Sequence, residues 1–430
     1  MKAGIWVFIL LTCINLNGFS QEIDKPIVII TQDGEVDDRS SFVRFLLYTS
    51  DIDLRGIIAT NSIWQKNGHG LEWIHEAIDL YGEVRDNLLH HQPGYPTVDY
   101  LKSITVLGNE DPKYLKGHAP YIDSKGSDLI VSELLKDDTL PVHVNCWGGA
   151  NTVAQSLWVL KNDHPKQFEK AVSRIRIYCI SFQDDAGKWI KENIPEAMII
   201  EAGSWYLSWN YHDKEPLKHN PYPEYMSETW LNENVKLNHG VLGGWYPQKN
   251  VSEGDTPAFL NFVDNGLNAS LDYSRGGWGG RFQPVSGNFW KDAADDNNDK
   301  KSLWRWCPAV QNDFAARMDW CVKTFDKANH APKVVESTES RIVSKGEKVE
   351  LTASAEDIDG NTVYFYWWHY KDASGMDSYI KIVNETSDKA SFFVPQKQQS
   401  DIHIILEISD NGIPSLRRYK RLIFSLEDEN

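Results

Sequence analysis

Short apolar segments alternate with helical patterns from residue 26 to about residue 325, and this alternation limits the folds open to the chain. Helices are predicted at residues 40–48, 71–81 and 151–160, and buried strands at residues 26–30, 54–59, 141–145, 175–180 and 197–200. Alternating strands and helices are typical of an α/β domain, a mainly parallel sheet with helices on both faces. Because ligands bind beyond the carboxyl ends of such strands, we look for chemistry there.

The pattern changes after residue 331, where strand-like segments follow one another with turn signals between them. We predict strands at residues 348–355, 362–370, 391–394, 402–408 and 418–425. The segment at residues 355–367 resembles the second and third strands of immunoglobulin-like and PKD-like modules of secreted carbohydrate-active proteins. The sequence therefore predicts an α/β domain over residues 22–331 and a C-terminal all-β immunoglobulin-like sandwich over residues 332–430, a candidate carbohydrate-binding module.

Residues 1–21 are interpreted as a cleaved secretory signal peptide. Lys2 precedes an apolar run at residues 5–11, and small and polar residues follow it. No later run approaches the roughly 18 apolar residues that span a bilayer, so no transmembrane segment is predicted. We expect a secreted or periplasmic protein.

Composition narrows the partners that the chain is expected to bind. The formal net charge is -17, from 44 basic and 61 acidic residues, so the chain repels phosphate backbones and nucleic acid is not an expected partner. There are 17 tryptophans, and ten of them lie between Trp189 and Trp320. Flat rings with polar edges suit sugars, although packing in the core or between subdomains is the more common role of such residues.

Three aspartates follow the first predicted strand in the segment TQDGEVDD, residues 31–38. Asp33 leaves the strand, and Asp37 and Asp38 stand at the start of the next helix. One such aspartate is explained as a helix cap, since the helix dipole favours a carboxylate there. Three crowded carboxylates repel one another unless a cation holds them, and oxygen ligands select a hard ion such as Ca²⁺ or Mg²⁺. Capping and metal binding both remain open on the residues alone.

The spacing Asp-x-x-x-Asp-Asp directly after an N-terminal strand resembles the calcium signature of the nucleoside hydrolases. The rest of the chain resembles more closely a secreted nucleoside-hydrolase-like family of unknown function, whose C-terminal sandwich is described as cellulose-binding. The blocks that carry this resemblance are ISFQDDAG at 180–187, EGDTPAFL at 253–260, GGWGGR at 276–281 and QNDFAARM at 311–318. The resemblance implies a nucleoside-hydrolase-like sheet followed by a sandwich.

The same resemblance implies a Ca²⁺ site and its ligands. They are the carboxylates of Asp33, Asp37, Asp38 and Asp255 and the backbone carbonyl of Trp147, and Asp33 would also activate water. On the residues alone, Asp255 equally well caps the helix that follows it. Gly148-Gly149 either lets the backbone approach a ligand closely or forms an ordinary tight turn.

The sequence departs from the nucleoside hydrolases at the position of the leaving-group acid. Many of them carry a histidine directly before the last aspartate, where this chain has Gly254. Glu253 is a candidate for that catalytic role, or it simply faces solvent. Further candidates for substrate contact are Asn61, Gln183, Asp184, Trp278 and Arg281. Gln183 and Asp184 equally well belong to a polar loop that caps a helix, and Trp278 and Arg281 form either a sugar rim or a packed lid.

Three functional hypotheses follow. The first is a calcium-dependent hydrolase of a glycosyl bond that acts on glycan fragments, in which Asp33 takes a proton from water as it attacks the anomeric carbon. The second is a carbohydrate-binding protein that has lost catalysis, which the missing histidine supports. The third is hydrolysis of extracellular nucleosides. The expected partner is a carbohydrate or nucleoside-like small substrate, with polysaccharide at the C-terminal domain.

Overall fold

The computed structural model describes residues 25–112, 123–203 and 221–427. The segment interpreted as a signal peptide, residues 1–21, lies outside these ranges. Within them, every helix is too short or too polar to cross a bilayer.

The first eight strands form one mixed sheet. Its strand order is β3-β2-β1-β4-β5-β6-β8-β7, and all neighbouring pairs are parallel except β8 and β7 at one edge. The mainly parallel sheet that the sequence predicts is therefore confirmed. The strands are β1 (Ile27–Gln32), β2 (Asp53–Ala59), β3 (Thr105–Leu107), β4 (Val142–Cys146), β5 (Ile175–Ile180), β6 (Met198–Ala202), β7 (Phe282–Ser286) and β8 (Phe289–Asp292).

Helices cover both faces of this sheet. The described helices are α1 (Val36–Leu46), α2 (Glu72–His91), α3 (Val98–Ser103), α4 (Lys125–Leu134), α5 (Asn151–Asp163), α6 (Phe168–Arg174), α7 (Ala186–Asn193), α8 (Glu228–Leu231), α9 (Gly240–Gly244), α10 (Pro257–Leu260), α11 (Lys301–Trp304) and α12 (Cys307–Trp320), together with short 3₁₀ turns and one π-helical turn, Asn232–Lys236.

Alternation along the strands divides the apolar residues between two cores. On β1, Val28 and Ile30 pack into the core beneath α1, α2 and α12, whereas Ile27 and Ile29 pack into the core beneath α4, α5 and α7. Successive side chains of a strand point to opposite faces, and both faces of a parallel sheet are covered, so β1 is apolar from Ile27 to Ile30. Because β1, β4 and β5 are parallel neighbours, their carboxyl ends lie at the same edge of the sheet.

The C-terminal domain is all-β. One sheet has the strand order β10-β15-β14-β12 and the other β13-β11-β9, and residues of both contribute to one apolar core. Its strands are β9 (Lys333–Ser337), β10 (Arg341–Val343), β11 (Lys348–Glu356), β12 (Tyr364–His369), β13 (Lys389–Phe393), β14 (Ile402–Ser409) and β15 (Arg417–Leu426). The immunoglobulin-like description is compatible with these two sheets.

Candidate metal centre

The acidic segment lies where β1 meets α1. β1 ends at Gln32, Asp33 is in the connecting loop, and Asp37 and Asp38 are in the first turn of the helix. All three aspartates are buried, with 2%, 4% and 2% of their surface exposed. The backbone N–H of Asp33 donates to Oδ1 of Asp38 over 3.1 Å, so the loop folds back on the helix. Glu35, the residue before α1, makes no side-chain capping bond to the helix.

Asp255 joins these aspartates from a distant part of the chain. It lies just before α10 and is 1% exposed. One carboxylate oxygen each from Asp37, Asp38 and Asp255 lie within 4.8 Å of one another. Thr256, rather than Asp255, is the residue that precedes α10, and its side chain makes no capping bond. The structure therefore brings Asp255 to the acidic segment, and Asp33 lies against the same group.

Burial and mutual repulsion raise the pKa of these carboxyl groups. For Asp38, burial is the largest cause, and the charges of Asp33, Asp255 and Asp37 raise its pKa further. Burial likewise raises the pKa of Asp37 and of Asp255 well above the ordinary value. The pKa of Asp33 is raised less, because hydrogen bonds and His69 partly offset its burial. Without a cation, this group is held together at an electrostatic cost.

Three oxygen atoms in the cluster have no hydrogen-bond partner within the described part of the chain: Oδ2 of Asp33, Oδ1 of Asp37 and Oδ2 of Asp255. Buried carboxylate oxygens are normally satisfied by a donor or a cation, and leaving one unpaired is costly. The donor set consists only of oxygens, which Ca²⁺ and Mg²⁺ prefer. These residues fit the divalent ion that the sequence predicts.

The loop after β4 packs against Asp33. A Cβ atom on Gly148 would lie 2.8 Å from the Cβ of Asp33, and one on Gly149 would lie 2.4 Å from Oδ2 of Asp184. Both contacts are shorter than real Cβ atoms tolerate, so close approach, rather than the turn alone, requires these glycines. The carbonyl oxygen of Trp147 accepts a hydrogen bond from Nε2 of Gln183.

Asn61, Gln183 and Asp184 lie in a buried polar network that joins three loops. Oδ1 of Asn61 accepts from Nδ2 of Asn151 over 2.6 Å. Asp184 accepts from the backbone N–H groups of Asn151 and Ala186, which caps α5 and α7. Burial raises the pKa of Asp184 to about 6. The capping alternative for Asp184 therefore holds in the structure, and contact of this network with substrate stays a prediction.

Glu253 does not face solvent, and that expectation is wrong. Its side chain is fully buried and forms an ion pair of 2.6 Å with Arg44, which is also fully buried. The hydroxyl groups of Tyr246 and Thr256 donate to the same carboxylate. Because both oxygens are occupied by protein donors, neither is available to a leaving group. Glu253 is therefore one half of a buried structural ion pair, and its predicted catalytic role is corrected.

Trp278 and Arg281 do not form a sugar rim, because their loop is packed. Trp278 is fully buried, and its ring meets Tyr419 of the C-terminal domain edge-on, with centroids 6.4 Å apart. Arg281 forms an ion pair of 2.8 Å with the fully buried carboxylate of Asp295. Trp278 and Arg281 therefore belong to a packed lid, and the prediction that they bind substrate is corrected.

Two exposed residues in the loop after β2 are not among the candidates that the sequence predicts, and one of them, His69, contacts Asp33. Nδ1 of His69 lies 3.1 Å from the backbone oxygen of Asp33, and its imidazole lowers the pKa of that aspartate. Trp64, in the same loop after β2, is 66% exposed. A lone histidine and a lone tryptophan in a polar loop carry no spacing signal, and only the fold brings His69 to Asp33.

Family models match both parts of the chain. Residues 27–282 match the model described as cellulose-binding Sde182, nucleoside hydrolase-like domain. Residues 348–426 match the model described as cellulose-binding protein Sde0182, C-terminal domain. No curated protein matches the chain.

Solved structures are similar to the whole chain and to a part of it. One is a nucleoside hydrolase-related hypothetical protein from Saccharophagus degradans that is associated with carbohydrate metabolism. It is 34% identical, with a TM-score of 0.81 over 94% of this chain and 100% of that chain. The titin M4 domain matches 24% of this chain and 100% of its own, with 14% identity and a TM-score of 0.17.

Proposed function

The chain belongs to the cellulose-binding Sde182 family with its nucleoside hydrolase-like domain, and from this we propose that it is a secreted, calcium-dependent hydrolase of a glycosyl bond in glycan fragments. The observation that carries this proposal is the group of four buried aspartates at the edge of the sheet, three of whose oxygens have no hydrogen-bond partner among the described residues. A site of this kind is costly to maintain unless it binds a cation, because burial and neighbouring carboxylates both raise the pKa values of Asp37, Asp38 and Asp255.

The proposed ligands of Ca²⁺ are Asp33, Asp37, Asp38 and Asp255, with the carbonyl of Trp147. When bound, Ca²⁺ supplies orientation of sugar hydroxyls and a modest lowering of the pKa of water. The carbonyl of Trp147 already accepts from Gln183, and a carbonyl oxygen has a second lone pair for another partner.

Asp33 is the proposed general base. Its Oδ2 atom has no partner among the described residues, and burial raises the pKa of its carboxyl, which makes the carboxylate a stronger base. In the proposed reaction it takes a proton from water as the water oxygen attacks the anomeric carbon, which carries oxocarbenium-like charge.

His69 replaces Glu253 as the proposed proton donor to the leaving group. It is exposed while Asp33 beneath it is buried, so it stands at the solvent side of the acidic group. Histidine is the side chain that most often serves as general acid or base in enzymes. Trp64 offers an exposed ring in the same loop on which a sugar face can stack.

A non-catalytic carbohydrate-binding protein is the second candidate. It is favoured by Gly254, which stands where many nucleoside hydrolases have the leaving-group histidine, and by the ion pair with Arg44 that occupies Glu253, two residues before Asp255. Hydrolysis of nucleosides is tested in the same experiment, because the similar protein from Saccharophagus degradans is described as nucleoside hydrolase-related.

The test is release of reducing sugar from a panel of oligosaccharides and nucleosides, with calcium or with a chelator. We expect release from oligosaccharides that the chelator abolishes, and loss of release in Asp255→Asn. Asp264→Asn changes an exposed aspartate nine residues away and serves as the matched control. Chelator-resistant release would remove calcium from the proposal, release only from nucleosides would favour nucleoside hydrolysis, and binding without release would favour the second candidate.

A further inference from the structure

Strand β12 presents aromatic side chains on both of its faces. Trp367 and His369 are buried, with 1% and 2% exposed, and Trp367 packs in the core between the two C-terminal sheets. Tyr364 and Tyr366 lie on the opposite face and are 55% and 45% exposed. Alternation of side chains along the strand explains why Trp367 and His369 are buried. The exposed rings of Tyr364 and Tyr366 form an apolar surface of the kind that contacts another molecule.

The row of exposed rings leads into a cleft between the two domains. On the next position of the same face, Trp368 lies beneath the guanidinium group of Arg305 of the α/β domain, 4.9 Å from the ring centre. Trp304 lines the opposite wall, and its indole nitrogen is buried with no partner among the described residues. Tyr379, 57% exposed, completes the lining on the C-terminal side. The cleft holds about 640 Å³, within the roughly 300–1,000 Å³ of small-molecule sites.

Charges around this cleft are balanced, although the chain as a whole carries -17. Three of the basic groups in the described lining are held by carboxylates, among them Arg305 by Asp295, and Arg417 by Glu407 over 3.0 Å. Lys301 pairs with Asp296 in the same way. Lys381 and Glu385, which also line the cleft, add one charge of each sign. A charged ligand would find no free counter-ion in these pairs, whereas a neutral ligand with apolar faces and hydroxyl edges matches rings and paired polar groups.

We propose that this cleft, which we call the junction cleft (lined by Trp304, Arg305, Tyr366, Trp368 and Tyr379), binds a neutral oligosaccharide of the β-glucan type. Both domains contribute rings, so neither forms the site alone. The choice of a glucan rests on the proposed function and on the cellulose-binding description of the family model over residues 348–426, which contains the C-terminal wall. The junction cleft is separate from the acidic group and would hold the chain of a glycan rather than its reacting bond.

The test is the dissociation constant of the full chain for cello-oligosaccharides, measured by calorimetry. We expect Tyr366→Ala and Trp304→Ala each to raise it by at least about tenfold, since each removes a stacking ring. Phe393→Ala is the matched control, because Phe393 is 60% exposed on the other C-terminal sheet and should leave it unchanged. Trp304→Phe keeps a ring in the partly buried position and should retain most of the affinity.

The outcomes separate this proposal from the proposed function. Loss of affinity only in Tyr366→Ala would contradict a site shared by both domains, and no loss in either variant, or no binding by the wild type, would overturn the junction cleft. Tyr366→Ala should still release sugar from a soluble small substrate, while Asp255→Asn should still bind cello-oligosaccharide. Binding that depends on the junction cleft without any hydrolysis would overturn the proposed function alone.

Discussion

Four aspartates that share a buried site behave differently from aspartates at a surface. In the metal-free protein the pKa values of Asp37, Asp38 and Asp255 are raised by burial first and then by neighbouring carboxylates. The cost of ionising them falls on the folded state only, since the unfolded chain keeps them in water at ordinary pKa values.

This difference predicts how stability depends on pH. The protonated cluster adds stability below the unfolded carboxyl pKa of about 4, and this is lost as pH rises through the higher folded pKa values. We expect the increase in melting temperature caused by calcium to grow as the pH rises above the unfolded carboxyl pKa of about 4, because binding replaces the lost protons. Melting curves with calcium and with chelator measure it, and an increase that is independent of pH would contradict this prediction.

A second residue-level prediction concerns Glu253. Because Arg44 and Glu253 are both fully buried, Glu253→Gln leaves a buried guanidinium without its ion-pair partner and should cost about 3–5 kcal/mol of unfolding free energy. The double variant Arg44→Met with Glu253→Gln should recover part of this loss. Denaturant unfolding measures both, and a Glu253→Gln protein of wild-type stability would contradict the structural role.

At the same scale, spacing along the chain identifies only side chains that stand together, whereas the distant Asp255 is identified through the family resemblance. Asp33, Asp37 and Asp38 are recognisable because they stand together after a strand. Glu253 looks like an exposed acid in a polar segment, and its partner Arg44 is 209 residues away. Trp278 lies among glycines that suggest an open loop, whereas the C-terminal domain covers it.

At the scale of elements, the glycine loop after β4 is expected to hold the side chain of Asp33 in position at the metal site, because it packs directly against that side chain. Gly148→Ala would press a methyl group against Asp33 and should lower calcium affinity by at least about tenfold through displacement of that side chain. Gly244→Ala is the control, because nothing lies within 4 Å of a Cβ atom there. Calcium titration of both variants decides it, and unchanged affinity in Gly148→Ala would contradict close packing on Asp33.

Some helices and strands of the structure extend beyond the predicted ranges or lie outside them. The helix predicted over residues 71–81 continues to His91, because Val84 and Leu88 extend its buried stripe past Gly82, a residue that usually signals an end. Strands β3, β7 and β8 were not predicted. β3 has three residues, and four of the five residues of β7 are exposed, so neither shows a buried apolar run.

At the scale of the whole molecule, the two domains share an interface with both polar and apolar contacts. The sequence pattern of either domain alone does not reveal this interface. Asp313 of α12 accepts from Arg418 of β15 over 2.8 Å. The N–H of Tyr419 donates to the carbonyl of Asn265, and Arg421 donates to the carbonyl of Gly276. Tyr370, Ile405 and Tyr419 of the C-terminal domain belong to one of the two cores beside the parallel sheet.

Such an interface predicts that the domains unfold together. Calorimetry of the full chain should show one transition, and Asp313→Ala should lower its midpoint, because Arg317 and Arg418 would lose a buried partner. Asp326→Ala, at an exposed position of the same region, should leave the midpoint unchanged. Two separated transitions in the wild type would contradict a shared cooperative unit.

Calcium titration of the chelator-treated wild-type chain, followed by calorimetry, tests the central account most directly. The account predicts one saturable site per chain in the wild type and loss of that binding in Asp38→Asn, with the Asp264→Asn control unchanged. Absence of calcium binding to the folded wild-type protein, or equal binding by Asp38→Asn, would contradict it.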